Sequence, residues 1–305
     1  MRHVIYFSVL IFILGVLMPA QAQNTLKQEL QELPNKCELV ESSSSNYAVT
    51  TTHYDYQMMG PFMQKKQISG EFTRGLEDHK VRWNNVRIAV SYNLEACFEQ
   101  GELQTAMEGF TYVPSGEMMN PEAFASLPQN MNTYLYKNLV WDMMAFDTFS
   151  WAFTDSLSLN KEYRAKEASY EIELAGEGTF ENKDIRLTWI GVTQKNQKTC
   201  AIIKYSILNN PLSINGAQLK LKGRSHYWGN VYVCLETKQL EYAELYEDVI
   251  MDMKVAGMEN NQLLNTVRTI YVERIRTTNQ EVKIPESDFN NGISHLRIGS
   301  GTLGF

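Results

Sequence analysis

From Leu240 to Val255 the chain alternates between apolar and polar positions. Ala243, Leu245, Val249, Met251, Met253 and Val255 hold one set, and Tyr242, Glu244, Tyr246, Asp248, Asp252 and Lys254 hold the other. A strand written this way has one dry face and one wet face. Tyr242, Leu245, Tyr246, Val249, Ile250 and Met253 also fit a helical stripe. The strand is preferred because the segment follows Val231-Tyr232-Val233 after the short connection Thr237-Lys238-Gln239, which is hairpin spacing. Residues 223–236 then form the incoming arm of a long antiparallel hairpin, and residues 240–255 the returning arm.

The same rhythm runs through most of the chain. Strand patterns occupy residues 47–57, 67–75, 80–93 and 102–113, separated by breaks rich in Gly, Asp, Asn or Gln, and resume over 169–180, 184–194, 199–208 and 263–275. Between the two sets lies a helical stretch. Asn120-Pro121-Glu122 has the polar cap and first-position proline of a helix start. Beyond Pro128, the residues Met131, Leu135, Leu139, Met143 and Phe146 recur at helical spacing, which places a helix near 121–147, strongest over 130–146. Residues 160–168 are charged without an apolar period and read as a linker. Leu26, Leu30 and Leu33, ending at Pro34, predict a short early helix. The fold class is mainly β: antiparallel meanders forming one large or two smaller twisted sheets, half-barrel-like, with one inserted helix.

The first residues divide the chain further. Arg2, the apolar run Val4–Leu17 and the small-residue site Ala20-Gln21-Ala22 make residues 1–22 a secretory signal peptide cleaved after Ala22. The apolar run is shorter than the roughly 18 residues of a membrane span. The mature regions are 23–159, which is β-rich with the helical segment, 160–278, an antiparallel β domain, and a polar tail over 279–305. A periplasmic or secreted location follows, with no membrane span after signal removal.

Loss of Arg2 takes the formal charge from -7 to -8. A mildly acidic surface with one basic pair, Lys65-Lys66, argues against nucleic acid as a partner. Four cysteines, 37, 97, 200 and 234, invite a disulfide reading in an exported chain. If the chain turns at Asn209-Asn210-Pro211, Cys200 and Cys234 end about 30 Å apart. If Gly229-Asn230 is a turn instead, they lie about 9 to 10 Å apart, beyond bridging range. No bridge between them is expected. Cys37 with Cys97, or buried free thiols, are the readings left open.

Chemistry-bearing motifs are sparse. The sequence has no HExxH, no Gly-x-Ser-x-Gly and no close Cys or His ligand spacing, so no metal and no cofactor is predicted. His226, between Gly223 and Gly229 and flanked by Tyr227 and Trp228, is the catalytic candidate, with Glu244 or Glu247 across the hairpin as its acid/base partner. Against it stands the plain reading of a rim histidine above a solvated row of carboxylates. Trp141, Met143 and Met144 on the helix, with Tyr227 and Trp228, are the candidate lining of an adaptable apolar site, although a Met- and aromatic-rich helix is ordinarily core.

A twisted sheet with a helix on its dry face shelters an apolar ligand, and in outline it resembles the incomplete barrels of periplasmic lipoprotein carriers, with no motif carrying the likeness. The reading is an exported, non-enzymatic envelope protein that binds a lipid, another apolar small molecule or an envelope protein. The alternatives are an exported glycan or ester hydrolase using the 223–252 hairpin, and a structural or surface-interaction protein.

Overall fold

The computed structural model describes residues 44–275, apart from 59, 153–155, 217, 218 and 258. The expected signal peptide and early helix, Cys37 and the residues read as a polar tail lie outside the described residues. Within them the strands are β1 (Ser45–Gln57), β2 (Phe62–Arg74), β3 (Val81–Ser91), β4 (Glu102–Leu103), β5 (Phe110–Tyr112), β6 (Glu162–Arg164), β7 (Glu171–Glu173), β8 (Gly178–Glu181), β9 (Arg186–Lys195), β10 (Lys198–Asn215), β11 (Leu219–Cys234), β12 (Leu240–Val255) and β13 (Gln262–Ile275), with one helix, α1 (Asn132–Trp151).

All thirteen strands join one sheet in the order β4-β3-β2-β1-β13-β12-β11-β10-β8-β7, with β5 on β3, β9 on β10 and β6 on β9. The sheet is antiparallel and does not close. Its two halves meet where β1 pairs with β13, from Asn46 opposite Ile275 to Gln57 opposite Leu264. One large sheet is therefore the arrangement adopted. The segment read as a linker contributes β6 and a short 3-10 turn at Lys166–Ala168.

The hairpin forms as the alternation predicts. β11 and β12 pair from Leu219 opposite Val255 to Val233 opposite Leu240, and Lys238 takes φ 59° in the connecting turn. Ala243, Leu245, Val249 and Met251 are buried, which settles strand over helix for this arm.

The structure departs from the expected elements in four places. The helix does not begin at Asn120: residues 121–124 make a 3-10 turn, and Pro128, which lacks a backbone N–H, stands before α1. α1 starts instead beside Asn130, whose Oδ1 accepts the Asn132 N–H at 3.0 Å. Residues 102–113 are two short strands around a 3-10 turn and not one strand. The chain also does not turn at Asn209-Asn210-Pro211. Asn209 adopts φ 66° and the β10–β11 register shifts between Ile207 and Asn210, so the site is a bulge and β10 runs on to Asn215. Gly229 is no turn either. It faces Tyr205 across the ladder, and the Tyr205 hydroxyl passes over it to donate to the Glu244 carbonyl at 2.7 Å. With both supposed turns inside strands, Cys200 and Cys234 become register partners.

The core lies between α1 and the inner face of the sheet. Leu139, Val140, Met143, Phe146 and Phe149 of α1 pack into one cluster with Tyr47, Val49, Val231, Ala243, Ile270 and Val272. Each large apolar side chain removed from water there contributes about 1.5–3 kcal/mol. Both edges of the sheet reach the start of this helix. Tyr136 donates to Gln104 Oε1 at 2.6 Å beside β4, while Tyr134 and Lys137 donate to Glu177 at 3.1 and 3.0 Å beside β8. The sheet thus wraps around α1.

Candidate functional site

On the inner face a row of polar side chains interrupts the apolar pattern. Lys66, His53, Arg268, Glu247 and Tyr227 are successive register neighbours on β2, β1, β13, β12 and β11. Directly opposed residues in an antiparallel ladder face the same side, so five strands place this row under α1.

α1 supplies Asp142 to the row. Arg268 grips it with both terminal nitrogens, Nη1 to Oδ2 at 2.8 Å and Nη2 to Oδ1 at 2.9 Å. The remaining guanidinium nitrogen, Nε, donates to Glu247 Oε2 at 2.6 Å. Glu247 Oε1 accepts from Ser225 Oγ at 2.5 Å. One cation is thus held by two buried carboxylates, a fork geometry that arginine provides and lysine does not. Beside it, Asp55 accepts from Thr266 Oγ1 at 2.8 Å, Gln64 Nε2 at 2.9 Å and Lys66 Nζ at 3.1 Å.

The surroundings push these groups in different directions. Burial, with Arg268 adding to it, lowers the His53 pKa to about 3, so the imidazole is neutral. Burial raises Asp142 to about 6 against the pull of Arg268, and the neighbouring Glu247 carboxylate adds to the rise. Burial also acts upward on Asp55, but the Lys66 charge and the bonds from Thr266, Lys66 and Gln64 outweigh it and hold that carboxyl below its ordinary value.

The polar row divides the inner face in two. Along β12, Ala243 and Leu245 belong to the main core, Glu247 is polar, and Val249 and Met251 belong to a second apolar cluster. Along β13, Ile270 and Val272 lie on one side of Arg268 and Leu264 on the other. The second cluster joins Leu221, Val249, Met251 and Leu264 with Leu212, Ile214 and Met253. All of these stand on β10 to β13, and among the described residues none of α1 joins them. A separate cavity of about 340 Å³ beside the start of α1 is lined by Phe124, Thr133, Lys137, Glu177 and Asn215 among others. The Lys137–Glu177 ion pair at 3.0 Å gives that cavity a polar wall.

The residues singled out from sequence do not converge on one point. His226 is paired with Asp248 on the outer face, where its Nδ1 accepts the Asn209 N–H at 3.1 Å. Glu247 points to the inner face. Glu244 shares the outer face with His226 but stands opposite Asn230, which donates to it at 2.5 Å, four residues along the strand from Asp248. That is a separation of about 13 Å, too long for acid/base work on one bond. Tyr227 faces inward and donates to Asn182 Oδ1 at 2.9 Å. Trp228 faces outward, 41% exposed, stacked on Tyr246 at 6.4 Å. Met143 is core, Met144 packs at its margin, and Trp141 donates its indole N–H to the Met118 carbonyl at 3.0 Å. Asp142, Ser225, Arg268 and His53 belong to no motif of the sequence. The available signal was a polar residue inside the dry series of three neighbouring strands: His53 after Tyr47, Val49 and Thr51; Glu247 after Ala243 and Leu245; Arg268 before Ile270 and Val272.

Among the described residues no helix is long and apolar enough to cross a membrane. No family model matches this chain, and no curated protein matches it. Among solved structures, the chain is similar to one described as "lipid-protein interactions in lipovitellin", with 10% identity and a TM-score of 0.36, over 79% of this chain and 26% of that one. This chain therefore spans about a quarter of the lipovitellin chain. A DUF1329 family protein from Desulfovibrio piger ATCC 29098 matches with 10% identity and a TM-score of 0.14, over 85% of this chain and 95% of that one. At these TM-scores neither likeness carries a functional argument, which rests on this chain's own residues.

Proposed function

We propose that the chain is exported by its first 22 residues and holds the apolar part of a small amphiphile, such as a lipid, on the inner face of β10–β13. The observation that supports this reading is the second apolar cluster, Leu221, Val249, Met251 and Leu264, whose described members all stand on strands and are separated from the helix-packed core by the Arg268 layer. A purely structural face would extend the core through that position. Here a charged layer stands between the two instead, so that an apolar chain on the far side is sheltered without displacing α1. Acid/base catalysis from the hairpin has less support, because His226, Glu244 and Glu247 are dispersed over two faces.

The reading is tested by titrating the full chain with the fluorescent apolar probe N-phenyl-1-naphthylamine. Saturable binding is expected, weakened at least ten-fold by Met251→Glu and unchanged by Ile250→Glu, which alters the neighbouring residue on the outer face. Thermal melts of both variants verify that they remain folded. An absence of saturable binding, or equal weakening by the two variants, overturns the reading.

A further inference from the structure

Cys200 and Cys234 stand opposite each other at the end of the β10–β11 ladder farthest from its turn. The Leu235 N–H donates to the Thr199 carbonyl at 2.9 Å, so the adjoining pair is the hydrogen-bonded one. Cys200 and Cys234 therefore occupy a non-hydrogen-bonded pair, where Cα atoms approach to about 4.5 Å and side chains come closest. That falls inside the span of about 4.4–6.8 Å across which a disulfide closes. Both residues are 0% exposed. The Cys234 N–H already serves the Gln239 carbonyl at 2.9 Å and its carbonyl accepts from Lys238 at 2.8 Å, so bridging the sulfurs breaks no backbone bond.

The two sulfurs differ in character. Cys234 Sγ accepts the Thr237 N–H at 3.4 Å, while Cys200 Sγ donates to the Lys198 carbonyl at 3.6 Å; the neighbouring Cys200 thiol is the leading cause that lowers the Cys234 pKa to about 5. The Cys234 sulfur and then burial raise Cys200.

We propose that Cys200 and Cys234 form a cross-strand disulfide, made by exchange with a disulfide-class oxidant as the chain folds. The Cys234 thiolate attacks one sulfur of the oxidant, forming a mixed disulfide and expelling one thiolate. Cys200 then loses its proton and attacks the Cys234 sulfur, expelling the second thiolate. The two protein thiols are oxidised by two electrons, the oxidant is reduced to two thiols, and the two protons pass to the leaving sulfurs. Because both cysteines are buried in the folded sheet, exchange takes place while β10 and β11 are still zipping. The bond pins the far end of the register that carries Ser225 and Tyr227 beneath α1.

The test is oxidative refolding of the full chain. A Cys37→Ser, Cys97→Ser variant is unfolded and reduced, refolded in mixed reduced and oxidised glutathione, then unfolded in excess iodoacetamide and weighed. The expected product is lighter than the dithiol by two hydrogen atoms, takes no alkyl group, and takes two once a reductant is added, with the 200 and 234 peptides joined before reduction. The unsubstituted chain, refolded in parallel, keeps the test readable if the variant folds poorly, and the 200–234 linkage is expected among its peptides. Two alkyl groups without reductant, a retained glutathione, or pairing of Cys200 and Cys234 with other cysteines overturns the proposal.

Discussion

The pH dependence of stability contains two opposed contributions that single substitutions separate. In the folded chain Asp142 titrates near 6 against an ordinary value of 3.8, so between those values the folded state holds a proton that the unfolded state has lost. The stability from this group is complete below 3.8 and is lost as pH rises through 6, by about 3 kcal/mol at about 1.4 kcal/mol per pH step. His53 acts in the other sense. Its folded value of about 3 lies below the ordinary 6.5, so its stabilising contribution is complete above 6.5 and is lost as pH falls toward 3. From 3.8 to 6 the two slopes cancel, and the pair hides its own titration. His53→Gln should therefore recover relative to the wild type as pH falls from 6.5 to 4.5, by about 3 kcal/mol. Asp142→Asn should recover relative to the wild type as pH rises from 4 to 6, by a similar amount. His53 is not among the groups acting on Asp142, so each variant leaves the other titration in place. Urea unfolding followed by tryptophan fluorescence at half-unit pH steps measures both differences. If the two differences move the same way with pH, or the Asp142→Asn difference is flat between 4 and 6, Arg268 governs Asp142 and the reasoning fails.

Further substitutions probe the same face, with Gly109 as a control elsewhere. Arg268→Ala leaves Asp142 and Glu247 buried without their cation and should cost about 3–5 kcal/mol in urea unfolding. Adding Asp142→Leu and Glu247→Leu to Arg268→Met should restore most of that loss, and a single-variant cost below about 1 kcal/mol would show the layer to be solvated. Gly229→Ala should cost about 2 kcal/mol or more, because a Cβ there would lie 2.0 Å from the Glu244 carbonyl oxygen and 2.6 Å from the Tyr205 hydroxyl. Gly109→Ala, at φ 72° with open space around it, should cost only about 1 kcal/mol of backbone strain, and equal costs in thermal melts would remove the special role of Gly229.

What was readable in the sequence was local. The period-two pattern of residues 240–255 and the helical stripe ending at Phe146 set the elements and their buried faces, because each is written within one segment. The Arg268 layer was not readable in this way. Its members lie on β1, β2, α1, β11, β12 and β13, and only the register of β13 between β1 and β12 brings His53, Arg268 and Glu247 into line. The cysteine pair was hidden by a different cause. Asn209-Asn210-Pro211 has the composition of a turn, but a single positive-φ residue absorbs it as a bulge, and the pairing beyond it shifts accordingly. In both cases the missing information was long-range register, which turn chemistry and periodicity do not contain.

On the proposed function, the inner face of β10–β13 holds an apolar molecule. Native mass spectrometry of the chain exported by a bacterial host, followed by solvent extraction, tests it most directly. The account predicts a stoichiometric adduct of lipid size that is absent from Met251→Glu and present in Ile250→Glu. A clean ligand-free mass that persists after incubation with phospholipid would contradict it.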